Sequence, residues 1–94
     1  MDKYLLNQLT PTEIIKNIVG NIRKRRKELK LSQQDLAVKS GVSLGSIKRF
    51  ENKLEISFSS LINIAIALDC EDSFLTLFSK KKYNSIEDVL NEQT

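Results

Sequence analysis

One glycine, Gly41, lies between two short helical patterns and constrains the fold of this chain more than any other residue. Upstream, Ser32 is followed three residues later by Asp35, a capping-box spacing that predicts a helix beginning at Gln33. Gly41 can adopt the left-handed conformation that ends such a helix. Ser43 then predicts the N-cap of a second helix. The sequence therefore predicts two short helices joined by a tight turn.

Apolar residues on the inner faces of these two patterns predict how the helices pack. Ala37 is small enough for the second helix to pass close over the first, and Val42 and Ile47 can fill the angle between them. Two short helices that meet at a glycine turn form a helix-turn-helix. These apolar residues predict packing alone, since any small helical protein needs such a core.

The outer face of the second helix has a different composition. At about 100° per residue, the positions opposite Ile47 are small or polar; they are Gly45, Lys48, Arg49 and Asn52. Arginine and lysine can bond guanine in the major groove of DNA, and asparagine can bond adenine. A merely solvated face would have a similar composition, so the pattern favours DNA contact and leaves that second interpretation open.

The string LSQQDLAVKSGVSLGSIKRFEN, residues 31–52, resembles the Cro/CI-like (XRE) helix-turn-helix family of phage repressors. The resemblance extends over about residues 20–78. Its matching positions are Leu31, Gln33, Leu36, Ala37, Gly41, Val42, Ser43, Ile47 and Glu51. It implies an all-α fold, a compact five-helix lambda-repressor-like DNA-binding domain, in which the helix at about 43–51 enters the major groove.

The resemblance also implies roles for individual residues. Base contacts are expected from Ser43, Leu44, Gly45, Lys48 and Arg49. Phosphate contacts are expected from Arg23, Gln33, Ser46, Asn52 and Lys53. A structural ion pair is expected between Arg26 and Glu51, and the other cations near Arg26 are then expected to be free: Arg23, Lys24, Lys27 and Lys30. Leu44 has no hydrogen bond to offer, so we expect it to meet a thymine methyl group or the core.

Charge is distributed unevenly along the chain. Residues 20–53 contain ten Lys or Arg and three Asp or Glu, a balance of +7. The remaining residues contain five basic and nine acidic side chains, a balance of −4. The basic part contains the helix-turn-helix, and this coincidence is typical of a nucleic-acid-binding protein.

The remaining elements follow from caps and apolar spacing. Thr10 and Glu13 flank a proline in a capping box, which predicts a first helix over about 11–29. Ser57 or Ser59 can cap a helix over 58–68 that is apolar nearly all round. Such a helix must be buried on more than one side. One side belongs to the core, and the other is expected to form a homodimer interface, unless the long first helix folds back and covers it.

Short patterns near the end complete the chain. Residues 72–78 predict a fifth helix, and Ser85 with Asp88 forms a capping box for a marginal helical turn. We expect an N-terminal arm over 1–10, a DNA-binding domain over 11–79 and a C-terminal tail over 80–94. The segments RFENKLEIS, FLTLF and YNSIEDVL also resemble HipB-like antitoxins, which would imply a HipA-type kinase toxin as partner.

Several classes of function are disfavoured by composition. Cys70 is the only cysteine and histidine is absent, so neither an internal disulfide nor a typical zinc site is expected. We expect no metal, no cofactor and no catalytic residues, because no catalytic constellation stands out. No apolar run is long enough to cross a membrane. The expected location is the cytoplasm.

Three functions remain open. The leading one is a sequence-specific transcriptional regulator, most simply a dimeric repressor on a palindromic operator in double-stranded DNA. The second is an antitoxin that also binds its own operator. The third is a protein-interaction module that keeps the fold without DNA binding, for which the untypical Leu44 and Gly45 leave room.

Overall fold

The computed structural model describes residues 9–81, and within that range the chain is built from helices without a strand. The five helices are α1 (Pro11–Glu28), α2 (Gln33–Ser40), α3 (Leu44–Lys53), α4 (Phe58–Ala67) and α5 (Asp72–Leu75). The predicted all-α, five-helix fold is confirmed. The helical turn predicted at 85–90 lies outside the described residues, as do the first eight residues of the predicted arm.

Side-chain caps fix where the helices begin, as the sequence predicts. Thr10 and Ser32 each accept a hydrogen bond from the third backbone N–H of their helix, and both capping boxes are complete. Ser43 and Ser57 cap α3 and α4 in the same way, through single hydrogen bonds. Gly41 ends α2 in the left-handed region with φ of 75°, where a side chain would be strained.

The core lies where α2, α3 and α4 meet. Its largest fully buried side chains are Leu36, Ile47, Ile64 and Leu68, contributed by α2, α3, α4 and the C-cap of α4. From α1, Val19 joins the same cluster. The core therefore holds α3 by its inner side and leaves its outer side open.

The connection after α3 bends sharply at a residue other than glycine. Leu54 is the C-cap of α3 and adopts φ of 63° and ψ of 30°, the left-handed region. This conformation costs an ordinary side chain about 1 kcal/mol or more. The side chain of Leu54 is half-buried against the core, which offsets part of that cost. The bend directs the following residue, Glu55, back along α3.

Two groups of apolar side chains remain exposed. On α1, Ile14, Ile15 and Ile18 are between 37% and 45% exposed. The second group lies on α4, α5 and the segment that follows, and comprises Phe58, Ile66, Leu75, Leu77 and Phe78. The ring of Phe58 packs edge-on against Phe74 with centroids 5.9 Å apart. The long first helix leaves this second group uncovered.

Candidate nucleic-acid interface

Helix α3 presents two different faces. Ile47 and Phe50 are buried on the inner side. The outer side carries exposed residues that line a shallow cleft, namely Gly45, Lys48, Arg49, Asn52 and Lys53, with Glu55 from the following connection. Three of these six residues are cations and one is an anion. The cleft therefore offers a polar surface of mainly positive charge.

The first turn of α3 is held by its own serines. The Ser43 hydroxyl accepts the Ser46 backbone N–H at 3.1 Å and donates to the Ser46 hydroxyl at 2.8 Å. Leu44 is half-buried and packs against the core, which is one of the two environments expected for it. The predicted base contacts thus divide in the structure, since Gly45, Lys48 and Arg49 face the cleft while Leu44 turns toward the core.

Arg49 is bonded to Glu55, a partner that no pattern in the sequence indicates. Its Nε and Nη2 atoms donate to the same oxygen of Glu55, at 3.2 Å and 3.0 Å. Both side chains are well exposed, at 66% and 63%. The contact follows from the bend at Leu54, for which the local sequence contains no glycine signal.

The other end of α3 is fixed by a cluster around the buried carboxylate of Glu51, which we call the Glu51 cluster: Arg23, Arg26, Gln33 and Glu51. Arg26 donates from Nε to Glu51 Oε2 at 3.1 Å and from Nη2 to Oε1 at 3.2 Å. Its Nη1 donates to the Leu31 carbonyl at 2.8 Å. The Glu51 side chain is only 3% exposed, so these bonds join α1 to α3 in the interior.

Arg23 belongs to the same cluster, and the expectation that it is a free cation is wrong. It donates from Nε to Glu51 Oε1 at 3.2 Å and from Nη2 to the Glu51 main-chain carbonyl at 2.9 Å. The physical reason is the spacing of three residues between Arg23 and Arg26, which places both on one face of α1. Arg23 is still 41% exposed, so its role toward phosphate remains a prediction. Lys24 and Lys27 lie exposed beside it.

Gln33 also bonds to Glu51, through Nε2 to Oε1 at 3.1 Å. Its side-chain amide is therefore directed into the protein. The donors that remain for an anion at the start of α2 are backbone N–H groups of the first turn of that helix. Asn52 and Lys53 are exposed near the end of α3, while Ser46 is half-buried. Their predicted phosphate contacts remain predictions.

The Glu51 cluster sets the charge state of its carboxylate. Burial by itself raises the pKa of Glu51. Hydrogen bonds from Arg26, Gln33 and Arg23, together with the charge of Arg26, outweigh burial, so the pKa of Glu51 lies below its ordinary value. The carboxylate is therefore ionised at neutral pH and holds both arginines.

Residues 9–81 lack the features that two other kinds of site would need. No group of three or more His, Cys, Asp and Glu side chains lies together there as a metal site would require. Of the helices described, none has the length and apolarity needed to cross a bilayer.

The family model described as Helix-turn-helix matches residues 22–75. The chain belongs to this helix-turn-helix family, of the Cro/CI (XRE) type. The matched span contains α2 to α5 and every member of the Glu51 cluster, and it begins after the first half of α1. Membership places the chain in the broad class of DNA-binding regulators. Comparison with curated proteins and with solved structures gave no match.

Proposed function

We propose that the chain is a sequence-specific transcriptional repressor of the cytoplasm, which inserts α3 into the major groove of a palindromic operator. The observation that carries the proposal is the open face of α3, where Gly45, Lys48, Arg49 and Asn52 are exposed on a helix whose opposite face is core. Cationic and amide side chains on one rigid helix suit the acceptors and donors of base edges. Lys48 and Arg49 are assigned to base contacts. Ser43 and Gly45 are small, and they would let the start of α3 come close to the base edges.

Phosphate contacts would fix the orientation of α3 without reading sequence. Residues assigned to this role flank the cleft or lie at the start of α2: Arg23, Gln33, Ser46, Asn52 and Lys53. Because its amide is engaged by Glu51, Gln33 would act mainly through the backbone N–H groups of α2. The Glu51 cluster then ties the phosphate-binding end of α2 to α3, so that one contact positions the other.

A dimer would give the repressor its selectivity. One helix-turn-helix reads only a few base pairs, too few to select one site among the many in a genome. Two copies related by a two-fold axis would place their α3 helices one DNA turn apart, about 34–36 Å. The exposed apolar group of α4 and α5, especially Leu75, Leu77 and Phe78, lies outside α3 and would form the contact.

A second candidate is an antitoxin that binds its operator and also restrains a HipA-type kinase toxin. The observation that favours it is the exposed apolar group on α1, formed by Ile14, Ile15 and Ile18, which lies before the matched span. The proposed dimer contact through α4 and α5 does not include this group on α1. A kinase gene adjacent to this one, whose product co-purifies with the chain, would support the antitoxin role.

Selection of bound sites from a random pool of DNA duplexes tests the proposed function. The expected result is an enriched palindrome whose half-sites are centred about 10–10.5 base pairs apart or a multiple of that spacing. A folded protein that enriches no sequence would contradict it. That result would favour an interaction module that has kept the fold and lost DNA binding.

A further inference from the structure

Glu55 is the one carboxylate among the six residues that line the α3 cleft in the described chain. A carboxylate is an unexpected neighbour for DNA, because phosphates and carboxylates repel each other. Its ion pair with Arg49 is well exposed, and an ion pair exposed to this degree contributes little to stability. We therefore consider what Glu55 does to the binding properties of the cleft through its contact with Arg49.

One edge of the Arg49 guanidinium is hydrogen-bonded to Glu55, and the other edge is not. Nε and Nη2 both donate to Glu55 Oε1, so the side of the guanidinium next to its stem is occupied. The distal edge, formed by Nη1 and Nη2, still offers two N–H groups that point the same way. Two parallel donors match the O6 and N7 acceptors of guanine.

We propose that Glu55 is a specificity-determining residue, which holds Arg49 so that the arginine reads guanine and does not bind phosphate. A guanine edge is uncharged and can accept from the distal edge while Glu55 keeps its two hydrogen bonds. A phosphate contact would bring a negative charge toward Glu55 or require Arg49 to leave it. Glu55 thus weakens binding to arbitrary DNA more than binding to the operator.

This inference rests on the proposed function and deepens it. The test compares E55Q with wild type by measuring dissociation constants for the selected duplex and for a random duplex of equal length, over a range of salt. We expect E55Q to bind random DNA about 3- to 10-fold more tightly, with a salt dependence steeper by about one released counterion. The selected duplex should gain less, so the ratio of the two constants should fall.

Two further variants separate this role from simple charge. E28Q removes the exposed carboxylate that lies among the cations of α1, and so changes the net charge equally without touching Arg49. We expect E28Q to leave the ratio unchanged. In R49A, adding E55Q should leave the ratio unchanged, because the residue that Glu55 positions is absent.

The outcomes distinguish the two proposals. Wild type that does not prefer any duplex would overturn the proposed function itself. Wild type that discriminates normally, with E55Q showing the same ratio, would overturn the role of Glu55 alone. An equal fall of the ratio in E28Q and E55Q would also overturn it, because net charge would then account for the change.

Discussion

Arg23 donates to the main-chain carbonyl of Glu51 at 2.9 Å as well as to its carboxylate, so α1 is bonded to the backbone of α3 itself. Together with the two bonds from Arg26, this fixes the last turn of α3 relative to α1. Glu51 is therefore the residue through which α3 is held in its orientation relative to α1. The same residue therefore affects both the stability of the fold and the placement of α3 that the proposed function requires.

Glu51→Ala is expected to lower the free energy of unfolding by about 3 kcal/mol or more, because it leaves two arginines close together without their counter-charge. For a domain of this size the melting temperature should fall by more than about 10 °C. Glu55→Ala is the matched control, since it removes an exposed carboxylate and should change stability by about 0.5 kcal/mol or less. Similar melting temperatures for the two variants would show that the Glu51 cluster does not stabilise the fold.

The pH dependence of stability should report the same carboxylate. Because the pKa of Glu51 is lower in the folded chain, its contribution is complete above the ordinary glutamate value of about 4.5 and is lost as pH falls through the folded value. Glu51→Gln should thus be less stable than wild type at pH 7, and the difference should narrow below pH 4.5. Asp35, whose pKa is also lowered, is present in both proteins and cancels from the comparison. A difference that stays constant from neutral to acid pH, measured by denaturant unfolding, would refute this account.

Local chemistry is the part of the structure that the sequence predicts well. The capping boxes at Thr10 and Ser32 and the left-handed Gly41 follow from residue types at short spacing, and the structure confirms them. Contacts between distant segments are harder to predict. The bonds of Arg23 and Gln33 to Glu51 span 28 and 18 residues, and they depend on the angle between helices, which no local pattern specifies.

The contact between Arg49 and Glu55 escaped prediction for a different reason. It depends on Leu54 adopting a conformation for which glycine is the usual signal. Packing of the Leu54 side chain on the core overrides the local preference of the backbone. The sequence pattern therefore predicted which side of α3 is exposed, but it did not indicate the carboxylate that the bend brings beside that side.

The glycine in α3 provides a test that separates stability from binding. Gly45 and Gly20 both lie within helices, and an added Cβ at either meets no atom within 4 Å. Alanine should stabilise the fold by about 1 kcal/mol at Gly20, in the interior of α1, and by less at Gly45, in the first turn of α3. We expect Gly45→Ala also to weaken binding to the selected duplex, because its methyl group would stand between α3 and the base edges, whereas Gly20→Ala should bind normally. Equal affinities for the two variants, measured by fluorescence anisotropy, would place DNA away from Gly45.

The proposed dimer contact can be tested with two exposed apolar residues. Leu75 and Val38 are 78% and 75% exposed, so lysine at either position should leave the fold intact. Leu75→Lys is expected to give a monomer, because it places a charge in the contact formed by α5. Val38→Lys, on α2, should remain dimeric. The mass in solution, measured by light scattering at several concentrations, decides this, and a wild-type protein that is monomeric throughout would end the dimer proposal.

The claim that α3 reads base edges is tested most directly by the base preference of Arg49→Ala. The measurement is the dissociation constant for the selected duplex and for every single-base change in it, with Gln33→Ala measured alongside. Arg49→Ala should lose discrimination at one position in each half-site, by about 1–3 kcal/mol, and keep it elsewhere. Gln33→Ala should weaken all duplexes about equally, because it removes the bond to Glu51 that ties the phosphate-binding end of α2 to α3, and phosphates carry no base identity. An equal loss on every duplex for Arg49→Ala would contradict base reading by this side chain.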